Sequence, residues 1–302
     1  MKLKLIWNLF LASSVYLILL ISSPKLQAEE NLSKTRFIHE PTAIPIIFSA
    51  DKDIVPPIKH KQKYKLTTMP ANDPRTKEAM AQIAKAFAKY PTSLLKKTIY
   101  NIYILQTIYD ENQELGGFIT WRPGNVYTIY ISASNGTIES IFHHEYSHVI
   151  WDKYKKLFDD KKYRSLNPPG YEYGNYTYTS QNVTVVQFDA TTGAFSKDGK
   201  SVNLDEIING NKENKSEDEI SEHGSKYGFI TWYSETYIYE DWADYMRYLF
   251  MGNRKFWEMY AKHEAVQRKA DFLLAIYEKI DPMFTLGYFK DLAKEKQGNR
   301  TP

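Results

Sequence analysis

Apolar positions along this chain change their period several times, and each change marks an element. Residues 5–21 are an almost unbroken apolar stretch. Residues 29–70 are polar and lysine-rich, dotted with Pro41, Pro45, Pro56 and Pro57, and show no core-forming pattern. They read as an N-terminal arm or linker. From Asp73 the segment DPRTKEAMAQIAKAFAKYP offers a capping aspartate, proline at the first helical position and Met80, Ile83, Ala84 and Phe87 at helical spacing, which predicts a helix ending before Pro91. Residues 98–110, 116–121 and 125–133 are then dense in β-branched and aromatic side chains, separated by turn signals such as Arg122-Pro123-Gly124-Asn125. These read as strands of one sheet. Asn135-Gly136-Thr137 breaks the last strand and supplies a cap, and Ile138, Ile141, Phe142 and Val149 mark a helix running to about Phe158.

Residues 160–225 are less regular, with a turn-rich LNPPGYEYG, a strand-like YTYTSQNVTVVQFDA and a charged NGNKENKSEDEISE. The region reads as an insertion containing a hairpin and a solvated loop. Helical character returns from Tyr237 to about Met251, from Lys255 to about Ile280, and in a short closing segment near Phe289. No internal repeat is visible. The order of helix, sheet, helix, insertion and helices predicts an α+β domain over residues 71–302.

Composition and the first residues add four constraints. The 302 residues are 43% hydrophobic and 15% aromatic, enough to bury a core. Lys2, Lys4 and Lys25 account for the whole formal charge of +3, and the remainder is balanced, so no field draws in nucleic acid. Residues 1–28 combine two early lysines, the apolar stretch and small residues ending in Ala28, the layout of a secretory signal peptide. Export is expected, and membrane attachment only if that segment is retained as an anchor. Finally, the chain has no cysteine, which removes thiol catalysis, disulfides and thiolate metal sites. Any metal must be held by nitrogen and oxygen.

Three of the seven histidines fall within six positions, in IFHHEYSHVI. His144-Glu145-Tyr146-Ser147-His148 is an HExxH pentapeptide on a predicted helix, where residues four apart share a face. Both imidazoles can then reach one zinc ion, with Glu145 as base for a bound water. His143 points about a hundred degrees away and reads as a hydrogen-bonding or surface residue. A catalytic zinc takes three protein ligands and an open position. Trp151 and Tyr154 stand where a metzincin needs glycine and histidine, which excludes that class. An acid from a later helix remains. In YSETYIYEDWADYMRYLF, Glu240 is the candidate ligand and Asp244, one turn on, the candidate acceptor for a ligand histidine's second ring N–H. Asp241 and Glu235 compete for the ligand role.

An HExxH helix followed by a glutamate helix of form E-D-aromatic-A-acid resembles the gluzincin metallopeptidases. More narrowly, it is similar to the secreted bacterial group that includes anthrax lethal factor, the clostridial Pro-Pro endopeptidases and the zinc-binding metallopeptidases of bacterial envelopes. The resemblance covers residues 98–151 and 226–251 and implies a zincin-like fold, one zinc per chain and hydrolysis of peptide bonds. It also implies that Tyr233, seven residues before Glu240, assists the transition state. LNPPGYEY is similar to a segment of the envelope group as well. Trp242 departs from the usual phenylalanine, Asp244 from a frequent glutamate, and the lipid-anchor cysteine of many envelope members is absent. The expected partner is a peptide, laid as an added strand along 115–121, with the hairpin near 176–188 as a cover. Two alternatives stay open: a catalytically silent envelope-binding protein with this fold, and a zinc hydrolase of non-peptide bonds.

Overall fold

A computed structural model describes residues 36–51, 64–70, 72–110, 113–174, 186–189, 194–197, 200–202 and 220–298. The expected signal segment at 1–28, most of the hairpin near 176–188 and most of the charged loop of the insertion lie outside these residues. Among the described residues no helix is long and apolar enough to cross a membrane.

The chain divides into two compact units. One runs to Phe87 and continues over Thr92–Ile138, and the other comprises Ala88–Pro91 and the chain from Glu139 onward. The first unit is built on a five-stranded mixed sheet. Its strands are β1 (Arg36–His39), β2 (Ile44–Ile47), β4 (Ile99–Leu105), β7 (Gly117–Arg122) and β8 (Val126–Ser132), in the order β1-β2-β4-β8-β7. The parallel pairs β2/β4 and β4/β8 lie at its centre, flanked by antiparallel β1/β2 and β7/β8. Central parallel strands are covered on both faces, and IYNIYIL and VYTIYIS are buried apart from exposed Tyr100 and half-buried Val126, with Asn101 and Thr128 hydrogen-bonded to each other. The edge strand β7, GFITWR, is half-buried throughout except for exposed Trp121. Its hairpin with β8 turns through Gly124 at φ +90° and Asn125 at φ +58°, conformations that favour glycine and asparagine.

A second, antiparallel sheet joins β3 (Tyr64–Thr67), β5 (Thr107–Asp110) and β6 (Gln113–Glu114) in the order β3-β5-β6. Residues 98–110 are therefore not a single strand of one sheet: the chain breaks at Gln106, whose N–H donates to the Thr67 carbonyl, and the rest pairs with β3. Tyr64, Phe118, Tyr130 and Tyr103 stack in succession, with centroids 4.4, 4.3 and 4.9 Å apart, in the core around Ile47, Leu105 and Ile108.

Residues 29–70 contribute β1, β2 and β3. Ile44, Ile46, Ile47 and Phe48 are buried, so the arm expected to lack a core supplies part of one. Its signal is a four-residue apolar run whose partner, β4, lies more than fifty residues away. Helix α1 (Pro74–Phe87) forms as expected, with Asp73 accepting from the Arg75 N–H at 2.9 Å. Its buried stripe is Thr76, Ala79, Ile83, Ala86 and Phe87, while Ala84 is exposed. The unexpected helix α2 (Thr92–Thr98) packs on β4 and β8. Its seven residues run directly into β4, which hides it in the pattern.

In the second unit, α3 (Ile138–Lys153) is the HExxH helix. It stops at Lys153, short of Phe158, and is followed by a turn of 3-10 helix and by α4 (Asp160–Arg164). Strands β9 (Val186–Asp189), β10 (Ala194–Lys197) and β11 (Lys200–Val202) form a three-stranded antiparallel sheet in the insertion. After the short α5 (Glu222–Ser225) come α6 (Ile238–Phe250), α7 (Arg254–Lys262), α8 (Glu264–Ile280) and α9 (Leu286–Gly298). The helix expected from 255 to 280 is broken at His263, whose backbone is extended. Phe142, Tyr146, Val149 and Ile150 of α3 are buried, and an aromatic core gathers Tyr90, Phe142, Phe250, Tyr277, Phe284 and Phe289.

Candidate metal centre

The site forms within the second unit from α3, α6 and the turn before α6. The α3 helix is buried on nearly every side, which leaves its polar residues to find partners inside the protein. His143 is fully buried and its Nδ1 lies 2.9 Å from the Tyr90 hydroxyl, a structural role. Lys89 ties the same helix to α6, with Nζ 2.6 Å from Glu139 and a hydrogen bond to the Phe250 carbonyl.

One turn apart, His144 and His148 bring their Nε2 atoms to 3.2 Å from each other. Glu240, in the first turn of α6, places Oε2 at 3.0 Å from the first and 3.3 Å from the second. A tetrahedral ion with ligands at about 2.0–2.1 Å separates its donors by about 3.3–3.4 Å, so this triangle is close to one face of a zinc coordination shell. Two facing imidazole nitrogens and a carboxylate oxygen suit a shared dication better than a shared proton. Among the described residues these three form a group able to hold a metal ion. Their side chains keep 11–20% of their surface accessible, so the group is within reach of solvent.

Of the three acids that competed as ligand, Glu240 meets the imidazoles. Asp241 is fully buried against Lys269, and Glu235 is also fully buried. Asp244, one turn after Glu240, lies with Oδ1 3.2 Å from His144 Nδ1, which orients that ring and leaves Nε2 for the site. Asp244 is itself held by Arg247 Nη2 at 3.0 Å and by the Thr231 hydroxyl. Arg247 sits three residues on, on the same helical face, and that spacing was visible in sequence. Thr231 was not.

Burial alone would raise the Asp244 carboxyl, but the Arg247 charge and the hydrogen bonds from His144 and Thr231 hold it below its ordinary range. Burial opposes the imidazolium of His144, yet hydrogen bonds to Asp244 and Glu240 outweigh it and raise the metal-free ring to about 10. Glu240 is likewise subject to burial, which the two histidines overcome, so it stays ionised. Glu145 is 6% exposed and behaves differently. Burial pushes its carboxyl up and the histidines compensate only in part, which makes it a better proton acceptor.

Tyr233 stands in the 3-10 turn Tyr233–Glu235 with its ring centroid 5.8 Å from that of His144, and it is half-buried. The turn is stitched locally: Ser234 N–H donates to Thr231 Oγ1 at 3.0 Å, Ser234 Oγ to the Thr231 carbonyl at 2.7 Å and Thr236 Oγ1 to the Tyr233 carbonyl at 2.7 Å. LNPPGYEY, which had no chemical reading, buttresses this turn. Both the Tyr171 hydroxyl and the Gly174 N–H donate to the Glu235 carbonyl, at 2.9 and 2.8 Å.

No protein-family model and no curated protein matches the chain. A solved structure from Bacteroides caccae ATCC 43185, described as a "putative zinc-binding metallo-peptidase", matches 91% of this chain and 93% of its own at 12% identity and a TM-score of 0.50. At that identity the likeness concerns the fold. It agrees with the mixed α+β architecture, and the chain has a zincin-like fold.

Proposed function

We propose that this chain is an exported bacterial zinc endopeptidase. The observation that carries the reading is the convergence of His144, His148 and Glu240 to 3.0–3.3 Å of one another beside the buried carboxylate of Glu145. The likeness to a structure described as a zinc-binding metallo-peptidase supports the same class. Nitrogen and oxygen donors in a three-ligand set within reach of solvent favour zinc. When bound, zinc lowers the pKa of a coordinated water toward 7 and polarises a peptide carbonyl. Glu145 accepts the proton of the attacking water and passes it to the amine nitrogen as the C–N bond breaks. The Tyr233 hydroxyl donates a hydrogen bond to the carbonyl oxygen as negative charge gathers there. Asp244, kept ionised by Arg247, holds His144 in the tautomer that leaves Nε2 free for the metal.

Zinc content per chain, measured beside digestion of a peptide library, tests the proposal. Wild type and Glu145→Gln are expected to carry about one zinc, Glu240→Ala to lose it, and wild type alone to cleave. Tyr233→Phe is expected to keep zinc and turn over roughly a hundredfold more slowly, about 3 kcal/mol in the barrier. Zinc-loaded wild type that cleaves no peptide would leave a binding protein with this fold as the better account.

A further inference from the structure

Glu240 and Asp241 are neighbours in the first turn of α6, about a hundred degrees apart round the helix. Glu240 reaches the imidazoles, while Asp241 Oδ2 lies 2.7 Å from Lys269 Nζ of α8. Both of these side chains are fully buried. The same carboxylate oxygen accepts from the Tyr173 hydroxyl at 2.8 Å, and the Lys269 ammonium sits 3.9 Å from the Phe229 ring centroid and 5.5 Å from that of Tyr163. Two charges have thus been taken out of water beside a candidate ligand.

Net stability is a weak reason for such a pair. Both charged groups give up their hydration, and the attraction between them has to offset that cost. Replacing both members of such a pair by uncharged side chains of similar volume is often neutral or stabilising. What a hydrogen-bonded ion pair adds over apolar packing is direction. It fixes the rotation and axial position of the turn that bears it.

We propose that the buried Asp241–Lys269 pair, closed by Tyr173, is a positioning device that sets the first turn of α6 so that Glu240 meets His144 and His148 before any metal arrives. This deepens the metal-centre reading and rests on it. Lys269 and Tyr173 act through Asp241 on Glu240 and touch neither metal nor substrate.

The double variant D241N/K269M provides the test, with Co2+ and Zn2+ affinity and the Co2+ d–d absorption band as readouts. The melting midpoint of the metal-free protein is measured alongside. A midpoint within a few degrees of wild type with metal affinity 10–100-fold weaker is expected, the range typical for outer-shell partners of a metal site. A folded double variant with wild-type affinity and an unchanged cobalt spectrum overturns the proposal. If the double variant does not fold, Tyr173→Phe keeps the ion pair and removes one directional bond. It should weaken Co2+ binding several-fold, and unchanged affinity there overturns the proposal equally. Wild type that binds neither ion sinks the metal-centre reading itself, a different outcome from a variant that binds as wild type does.

Discussion

His144 uses both ring nitrogens, Nε2 toward Glu240 and His148 and Nδ1 toward Asp244, and this division sets its proton chemistry. With its metal-free pKa raised to about 10, the ring carries a proton at pH 7 that a metal must displace. Zinc binding at pH 7 is therefore expected to release about one proton from this residue. Affinity should weaken by up to about tenfold for each unit that pH falls below the raised value. Calorimetry in buffers of different ionisation enthalpy reads the proton count directly, and a count near zero would contradict the His144 assignment. The sign for the metal-free fold is the reverse. A raised pKa means that the proton contributes stability below the ordinary value of 6.5, and the contribution is lost as pH rises toward 10. Glu145 and Asp244 show how one helix pair separates two carboxylates: burial dominates at the first, and an arginine with two hydrogen-bond donors overrides it at the second.

Helix α6 does most of the assembly at the scale of elements. Glu240, Asp241, Asp244 and Arg247 serve the site and its supports, while Trp242, Tyr245, Met246, Leu249 and Phe250 are buried in packing. Its start has no side-chain cap at Tyr237, but the carboxylates of Glu240 and Asp241 stand at the positive end of its dipole. Its end is a Schellman motif, with Gly252 N–H donating to the Leu249 carbonyl at 3.0 Å and Asn253 N–H to that of Tyr248 at 3.1 Å. Gly252 has φ +55°, and a Cβ there would lie 2.5 Å from the Leu292 carbonyl oxygen of α9. Gly252→Ala is thus expected to destabilise the protein by about 2–4 kcal/mol, combining left-handed strain with a backbone clash. Denaturant unfolding measures it, and a loss below about 0.5 kcal/mol would mean that α9 is free to shift.

For the molecule as a whole, the absence of cysteine removes disulfides as a source of stability, and the proposed metal would be one replacement. An ion held at a hundred times its dissociation constant adds about 2.7 kcal/mol. Stripping it with a chelator should lower the melting midpoint by roughly 5–10 °C and re-adding zinc should restore it. A midpoint indifferent to chelation would argue against a metal-loaded fold. How far all this could be read beforehand follows sequence distance. HExxH, the helix that carries it, the central strands and the capped α1 were legible because each depends on neighbours within a few residues, where period and capping decide. The choice of Glu240 over Asp241 and Glu235 was open because it lies 96 residues from His144 and all three occur within seven positions. The partnership of Asp241 with Lys269, the clasp of Tyr171 and Gly174 on Glu235, and the pairing of Ile46 in β2 alongside Ile102 of β4 left no local trace. A linear pattern determines which face of a helix or strand a side chain occupies. Which distant face it meets is decided only when the elements pack, because that choice is made by shape and by the need to satisfy buried charge.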